Sequence, residues 1–448
     1  MQRNSSNPRK KLGLLPLVAA TYFMVSGGPY GIEELVQGSG YKLALIILFV
    51  TPLIWSLPTG LMVGELAAAL PADGGFYVWV RRAMGPFWGF QEAWLSLASG
   101  AFDLVAYPVV FVLALQNIWP PANAGHNGVL IAAALLLICV AWNLFGAGAV
   151  GDGSILLGVA LLVPFAVLAA VALFHRGSLA AASAASDPPA DWITGLMVAM
   201  WNYMGWDNAS TVASEVENPQ KTYPKVMMLA LVAILLSYVV PIAVVQRTQV
   251  QPAYWSAGSW TKIAALLGGH WLGFAVLIGW MVSTFGIMNS LMMSYSRLPP
   301  AMAEDGYLPG IFARRLGNGA PWVSIVLCGV TWMTVLLAFG INLNRLLLLD
   351  ILLYGTSLVL EFVALVVLRI REPHLERPFM VPGGIPAAIL LGIGPVAVLM
   401  LALAKNYSER LGGISALNLA LILMAAGALL YFVAGARTKS KALSAARS

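Results

Sequence analysis

Apolar runs of 18 or more residues recur along this 448-residue chain, and that recurrence constrains its fold more than any motif does. Each run is long enough to cross a hydrocarbon core of about 30 Å. Inside lipid a backbone has no water to bond, so a spanning segment must be a helix or part of a closed barrel, and uninterrupted runs of this length are helices. Spans are predicted near 12–36, 43–69, 87–116, 128–145, 153–174, 191–214, 226–246, 270–296, 322–340, 346–369, 386–404 and 413–434. Only 10% of the residues are charged, against about 25% in a soluble globular chain. The polar surface needed to face water is missing, and the expected class is an all-α integral membrane protein of about twelve transmembrane helices.

The net charge of +6 is distributed as topology rather than as a nucleic-acid stripe. With the N-terminus placed in the cytoplasm, inside segments hold 18 Lys/Arg: four in the N-terminal tail (1–11), Arg81, Arg82, Lys221, Lys225, Arg297, Arg314, Arg315, Arg369, Arg371, Arg377 and four in the C-terminal tail (435–448). Outside segments hold seven: Lys42, Arg176, Arg247, Lys262, Arg345, Lys405 and Arg410. Both termini are therefore expected in the cytoplasm, the membrane being the plasma membrane, or the inner membrane of a bacterium. Arg9-Lys10-Lys11 runs into an apolar segment with no convincing cleavage site, so no signal peptide is expected. Cys139 and Cys328 fall inside apolar windows and read as small packing residues; no disulfide, metal or cofactor is expected.

Two spans are interrupted at matching places. The first contains Ser26-Gly27-Gly28-Pro29-Tyr30-Gly31 and the sixth contains Asn202-Tyr203-Met204-Gly205-Trp206-Asp207-Asn208. Glycine weakens a helix interior and proline removes a donor, so both stretches are predicted to unwind. One opens the first group of five spans and the other opens the second; because five is odd, the two groups run oppositely through the membrane. Breaks at corresponding places in inverted halves are the sequence pointer to a transporter's binding site. The amides that start the second half of the first span suit a carboxylate, and the carbonyls that end the first halves suit an ammonium. Ser26, Gly27, Gly28 and Gly31 are therefore candidate backbone contacts. The units expected are 12–175 and 191–370 as inverted repeats, with 386–434 added outside them.

An acid at mid-helix costs about 2.5–3.5 kcal/mol on insertion scales, so its presence asks for a use. Asp103 lies halfway along the third span and Asp207 lies in the break of the sixth, and no Lys or Arg occupies the middle of any span. Both are candidates to bind an ammonium or carry a proton. Asp152 reads as an N-cap in Gly-Asp-Gly-Ser. Glu65, Glu215, Glu217 and Asp305 are expected to pair with loop Arg or Lys, and Glu361 is ambiguous. Glu33 and Glu34, just past the first break, either stabilise that helix start or bias the site toward a cation. The histidines, at 126, 175, 270 and 374, fall in loops or at helix edges, which argues against a histidine relay. Tyr30, Trp201, Tyr203 and Trp206 cluster at the breaks, as packing or as a gate around a ligand.

Several stretches resemble the amino acid–polyamine–organocation (APC) superfamily along nearly the whole chain. They are Gly64-Glu65-Leu66 through Leu70-Pro71-Ala72-Asp73-Gly74-Gly75-Phe76-Tyr77 with Gly85-Pro86-Phe87-Trp88-Gly89-Phe90; Gly205-Trp206-Asp207-Asn208-Ala209-Ser210-Thr211 into Glu215-Val216-Glu217-Asn218-Pro219-Gln220-Lys221; Ala301 to Pro309; and Arg377-Pro378-Phe379-Met380-Val381-Pro382. Ser26 to Glu33 and Phe102-Asp103 to Tyr107-Pro108 are similar to the polyamine-uptake branch. The resemblance implies a five-plus-five inverted repeat (LeuT-like) with two extra helices, proton symport, and a substrate site lined by 26–31, including Pro29 and Tyr30, and by 201–207, including Asn202. The chain departs from that branch midway along the eighth span, where Gly286-Ile287-Met288-Asn289-Ser290 carries no acid. It also has no lysine in 153–174.

The function expected is import of an amino acid or polyamine by proton symport with alternating access, the partners being that small molecule, a coupling ion and the bilayer. An exchanger satisfies the same residues, a sodium-driven version has Ser283, Thr284 and Ser290 to use, and a non-transporting amine sensor would keep the site. A channel would need a continuous polar stripe that the spans lack. An enzyme would need a catalytic set, and there is no His-Glu-x-x-His and no intramembrane histidine. The oligomeric state is not encoded in any of these features.

Overall fold

The computed structural model describes residues 11–175, 192–339, 343–406, 410–411 and 414–445. The N-terminal tail up to residue 10 and the basic positions Arg176 and Arg447 of the charge count lie outside them. Helices follow in the order α1 Leu14–Val25, α2 Glu33–Thr51, α3 Leu57–Ala69, α4 Phe76–Met84, α5 Pro86–Leu115, α6 Asn127–Asn143, α7 Ala147–Phe174 and α8 Trp192–Trp201. Then come α9 Pro219–Gln246, α10 Ser259–Gly268, α11 His270–Tyr295, α12 Leu298–Glu304, α13 Trp322–Phe339, α14 Leu343–Arg371, α15 Gly384–Asn406 and α16 Ala416–Ala445. A two-residue hairpin, Arg410–Leu411 against Ile414–Ser415, is the only strand pairing among the described residues apart from isolated bridges.

Eight helical stretches among the described residues are long and apolar enough to cross a membrane, and three shorter apolar helices accompany them. Their outward faces carry exposed Leu137, Phe145, Leu156, Phe174, Leu229 and Leu429. Such a surface suits hydrocarbon, not water. The chain is a multi-pass, all-helical membrane protein.

Both predicted breaks are present. Helix α1 stops at Val25, and the chain is not helical again until Glu33; α8 stops at Trp201 and gives way to a 3₁₀ segment at Trp206–Thr211. Gly205 has φ +96°, and a Cβ there would collide with Met24 O, so the second break is pressed against the end of α1. Only glycine permits both that φ and that approach.

Three readings are corrected. The stretch 36–43, expected between spans, is crossed by α2 with a kink at Gly40 (φ 68°, ψ 167°) rather than by a loop. Asp152 is not an N-cap, because α7 begins at Ala147 after Gly146 and leaves Asp152 inside the helix. Short helices α4, α10 and α12 occupy stretches read as loops.

At the end of the bundle where α1 starts, acids and bases interlock. Arg369 donates to both oxygens of the fully buried Glu65, at 2.9 and 2.5 Å, and Val381 N–H donates to Oε2 at 2.8 Å. Arg297 pairs with Glu215 at 3.0 Å, Arg315 with Asp73 at 2.8 Å, Arg82 with Glu372 at 2.6 Å, and Arg81 with Asp305. The pairings expected for Glu65, Glu215 and Asp305 are thus present. Glu217 is tied through its backbone, its N–H donating to Leu12 O at 2.9 Å.

Candidate functional site

The unwound segment after α1 has many of its backbone groups already engaged by side chains. Ser283 donates to Gly27 O at 2.5 Å, Trp260 Nε1 to Pro29 O at 2.7 Å, and Asn202 Nδ2 to Gly31 O at 3.3 Å. Gly28 N–H donates to Ser26 Oγ at 3.0 Å. Glu33, buried at 2% exposure, turns back to accept the Gly31 N–H at 2.7 Å and the Gly258 N–H at 3.3 Å. Its carboxylate thus holds amides of the turn before α2 and of Gly258 rather than a first-turn amide of the helix, and it also lines the cavity described next. The two breaks are joined by Tyr238 on α9, which accepts from Ser26 Oγ and donates to Asn202 O, both at 2.7 Å.

A cavity of about 660 Å³ opens at the end of the bundle opposite the ion pairs, near Gln116, Asn117 and Lys262, and reaches down to Gly27, Gly31, Trp201 and Asn202. Its walls are aromatic. Tyr30 stacks on Trp280 at 5.9 Å with 13° between planes, and Tyr107 stacks on Trp201 at 6.5 Å and 11°. Ring faces of this kind attract cations.

A second, much smaller cavity of about 30 Å³ follows, and Val25, Tyr107 and Trp201 line both. Asp103, Asp350, Gly205, Tyr295 and Tyr354 surround it. Tyr107 donates to Asp103 Oδ1 at 2.8 Å, Ser99 to Asp350 Oδ1 at 2.5 Å, and Tyr354 to Asp207 Oδ1 at 2.5 Å. Asp350 feels the charge of both Asp103 and Asp207. Two buried carboxylates, from α5 and α14, thus line one small cavity with a third, from the second break, behind Tyr354, and each holds a hydroxyl donor.

The predicted residues divide accordingly. Gly27, Tyr30, Gly31, Trp201 and Asn202 line the larger cavity, and Asp103 and Gly205 line the smaller. Ser26, Gly28 and Pro29 brace the break from behind. Asp207 stands one hydrogen bond away, behind Tyr354. Tyr203 and Trp206 are fully buried and outside both cavities, Tyr203 donating to Leu48 O at 2.9 Å, so of the four aromatics at the breaks Trp201 and Tyr30 line a cavity and the other two pack behind. Sequence reasoning missed Asp350, Trp280, Tyr238 and Tyr354. Asp350 carried a usable signal, an acid inside Leu346-Leu347-Leu348-Leu349-Asp350-Ile351-Leu352. The aromatics carried none, being ordinary residues of apolar helices.

A family model described as amino acid permease matches residues 18–436. The chain is 34% identical over 423 residues to polyamine transporter RMV1 of Arabidopsis thaliana, covering 93% of this chain and 85% of that protein. It is 34% identical over 398 residues to polyamine transporter PUT1 of Oryza sativa subsp. japonica, covering 89% and 74%. It is 25% identical over 402 residues to the serine/threonine exchanger SteT of Bacillus subtilis, covering 85% and 88%. By its sequence the chain belongs to the amino acid permease family, in the polyamine branch of the amino acid–polyamine–organocation superfamily.

Proposed function

We propose that this transporter imports a small amine, a polyamine in preference to an α-amino acid, by proton symport with alternating access. The observation that carries the proposal is the pair of cavities with shared walls: an aromatic vestibule open at one end, two buried carboxylates at its floor with a third behind Tyr354, and interlocked ion pairs beyond. An ammonium enters past Trp280 and Tyr30, and its charge is met by Asp103 and Asp350. Asp350 offers a second acid for the second ammonium of a dibasic substrate, in place of the acid that the eighth span lacks. The Gly31 amide, which would otherwise receive a substrate carboxylate, is held by Glu33.

Twelve membrane helices are proposed: α1 with the start of α2, the rest of α2 with α3, α5, α6, α7, α8 with the following 3₁₀ segment, α9, α11, α13, α14, α15 and α16. Units 12–175 and 191–370 form the inverted repeats, with 386–434 outside. With both termini in the cytoplasm of a plasma membrane or bacterial inner membrane, the vestibule faces outward and the ion pairs close the inner face, as import requires. Protons are favoured as the coupling ion because buried carboxyls able to take one up, Asp103 and Asp350, line the smaller cavity.

Likeness to SteT, named an exchanger, supports exchange as a second reading. Proteoliposomes separate the two. Symport gives putrescine or spermidine accumulation under an inside-alkaline gradient, abolished by a protonophore. An exchanger moves label only against internal substrate. Absence of both rejects amine transport.

A further inference from the structure

Glu92 on α5 and Glu361 on α14 take no part in the site above, yet both are fully buried. The two helices run antiparallel, tied by Ser99 to Asp350 at 2.5 Å, while Arg371 Nη1 at the end of α14 donates at 3.1 Å to Ala83 O on α4, just before α5 begins. Glu92 lies seven residues before Ser99 on α5 and Glu361 eleven residues after Asp350 on α14, about two and three helical turns, so both stand on the helix faces that carry the Ser99–Asp350 tie. At 1.5 Å per residue they stand about 10 Å and about 16 Å from it, both on the side of the ion-paired face. The charged groups facing Glu361 are Glu92 from α5 and Asp207 from the second break, with Tyr354 on its own helix. Glu92 Oε1 accepts from Ser96 at 3.2 Å. Its Oε2 and both oxygens of Glu361 have no partner among the described residues.

Two carboxylates cannot face each other in a dry interior as two bare charges. A buried anion needs a donor or a cation, and three of these four oxygens have neither. A proton shared between the two carboxyl groups neutralises one and gives the other a hydrogen bond, and it fits where no larger cation has ligands. The pair also lies in line. Asp103 and Asp350 line the smaller cavity, Tyr354, between Asp350 and Glu361 on α14, holds Asp207, and the ion-paired face is beyond.

We propose that Glu92 and Glu361 form a proton station between the amine site and the ion-paired face. One proton passes from the Asp207 carboxyl to a Glu361 or Glu92 oxygen and leaves from there to water when that face opens; no other bond changes. The proposal rests on the reading of the chain as a proton-coupled amine transporter.

The test uses Glu361→Gln and Glu92→Gln in proteoliposomes with labelled putrescine. Counterflow at equal pH on both sides needs the amine site and alternating access but no net proton movement. Accumulation under an inside-alkaline gradient, with a lumenal pH dye, needs the station. Each variant is expected to keep counterflow within about twofold of the unsubstituted protein while losing at least about tenfold in gradient-driven accumulation, with matching loss of the dye signal. Unchanged gradient-driven accumulation in either variant overturns the proposal, since the station needs both groups. Absence of counterflow in the unsubstituted protein rejects the transporter reading instead. Independently of any variant, infrared spectra of the unsubstituted protein should keep a protonated-carboxyl band at about pH 7.5, where exposed carboxyls are ionised. Its absence overturns the station as well.

Discussion

Tyr354 donates its hydroxyl to Asp207 Oδ1 across 2.5 Å and accepts the Gly205 N–H at 2.9 Å, so one phenol on α14 pins the break that follows α8 at two points. Asp207 thereby faces the smaller cavity only through Tyr354. Phenylalanine at 354 keeps the ring and removes both bonds, leaving a buried amide and a carboxylate each short of a partner. A stranded buried group costs about 1–3 kcal/mol. Tyr354→Phe is expected to lower the melting temperature in detergent and to reduce putrescine uptake. A variant with unchanged melting and uptake would show that the link is idle.

The ion-paired face contains both costly and cheap pairs. Glu65 is fully buried with Arg369, and Arg377 Nε stands 3.4 Å from Oε1. Glu65→Ala leaves two guanidinium groups facing each other, and breaking a buried pair from one side costs about 3–5 kcal/mol. Arg82, 44% exposed, holds Glu372 at the rim, and exposed pairs are worth about 0–1 kcal/mol. Thermal unfolding should therefore separate Glu65→Ala sharply from Arg82→Ala. Equal losses would mean that burial does not set the ranking.

The Arg82 guanidinium beside Glu372 holds that carboxyl below its ordinary range. A group whose folded pKa is depressed contributes stability above its unfolded value, and that contribution is lost as pH falls through the folded one. For Glu372 the loss begins near the usual glutamate value of about 4.3 and continues below it. Melting temperatures of the unsubstituted protein and Glu372→Gln should differ slightly at about pH 7 and converge near about pH 3.5. A difference that widens with acid would reverse the sign argued here.

The membrane class and both breaks were legible because each rests on a rule with few exceptions: lipid forces helices, and Gly-Gly-Pro or Tyr-Met-Gly inside an apolar run stops one. The stretches that resemble the superfamily turn out to build mainly the closed face. Gly64-Glu65 meets Arg377 and Val381, and Asp73 meets Arg315 and Ser214. Asp305, in turn, meets Tyr77 at 2.5 Å, as well as Arg81. The site was only half legible. Asp103 and Asp207 stood out by the cost of an acid in lipid, and the same rule applied to Glu92 and Asp350 would have found them. Which aromatics face the cavity was not readable, because helix rotation follows from packing: Trp201 lines it while Trp206 is buried behind. Nor did sequence tell whether the break's amides were free, since Glu33 folding back onto Gly31 is a tertiary outcome that Gly258 shares.

That last contact makes a prediction about selectivity. Amides at a half-helix start attract an anionic group of a substrate. Here Glu33 supplies the anion itself, and its presence in the cavity wall repels a second carboxylate. Glu33→Ala removes the charge, frees the Gly31 and Gly258 amides and enlarges the space between them. α-Amino acids are expected to compete weakly with labelled putrescine in the unsubstituted protein and about tenfold better in this variant, which corresponds to about 1.4 kcal/mol. Glu33→Gln keeps an acceptor oxygen for Gly31 and should gain less. Competition measured in proteoliposomes for all three proteins decides the point. If alanine at 33 leaves amino acids excluded as strongly as before, selection against the carboxylate lies elsewhere in the vestibule, and the aromatic walls around Trp280 and Trp201 become the place to look.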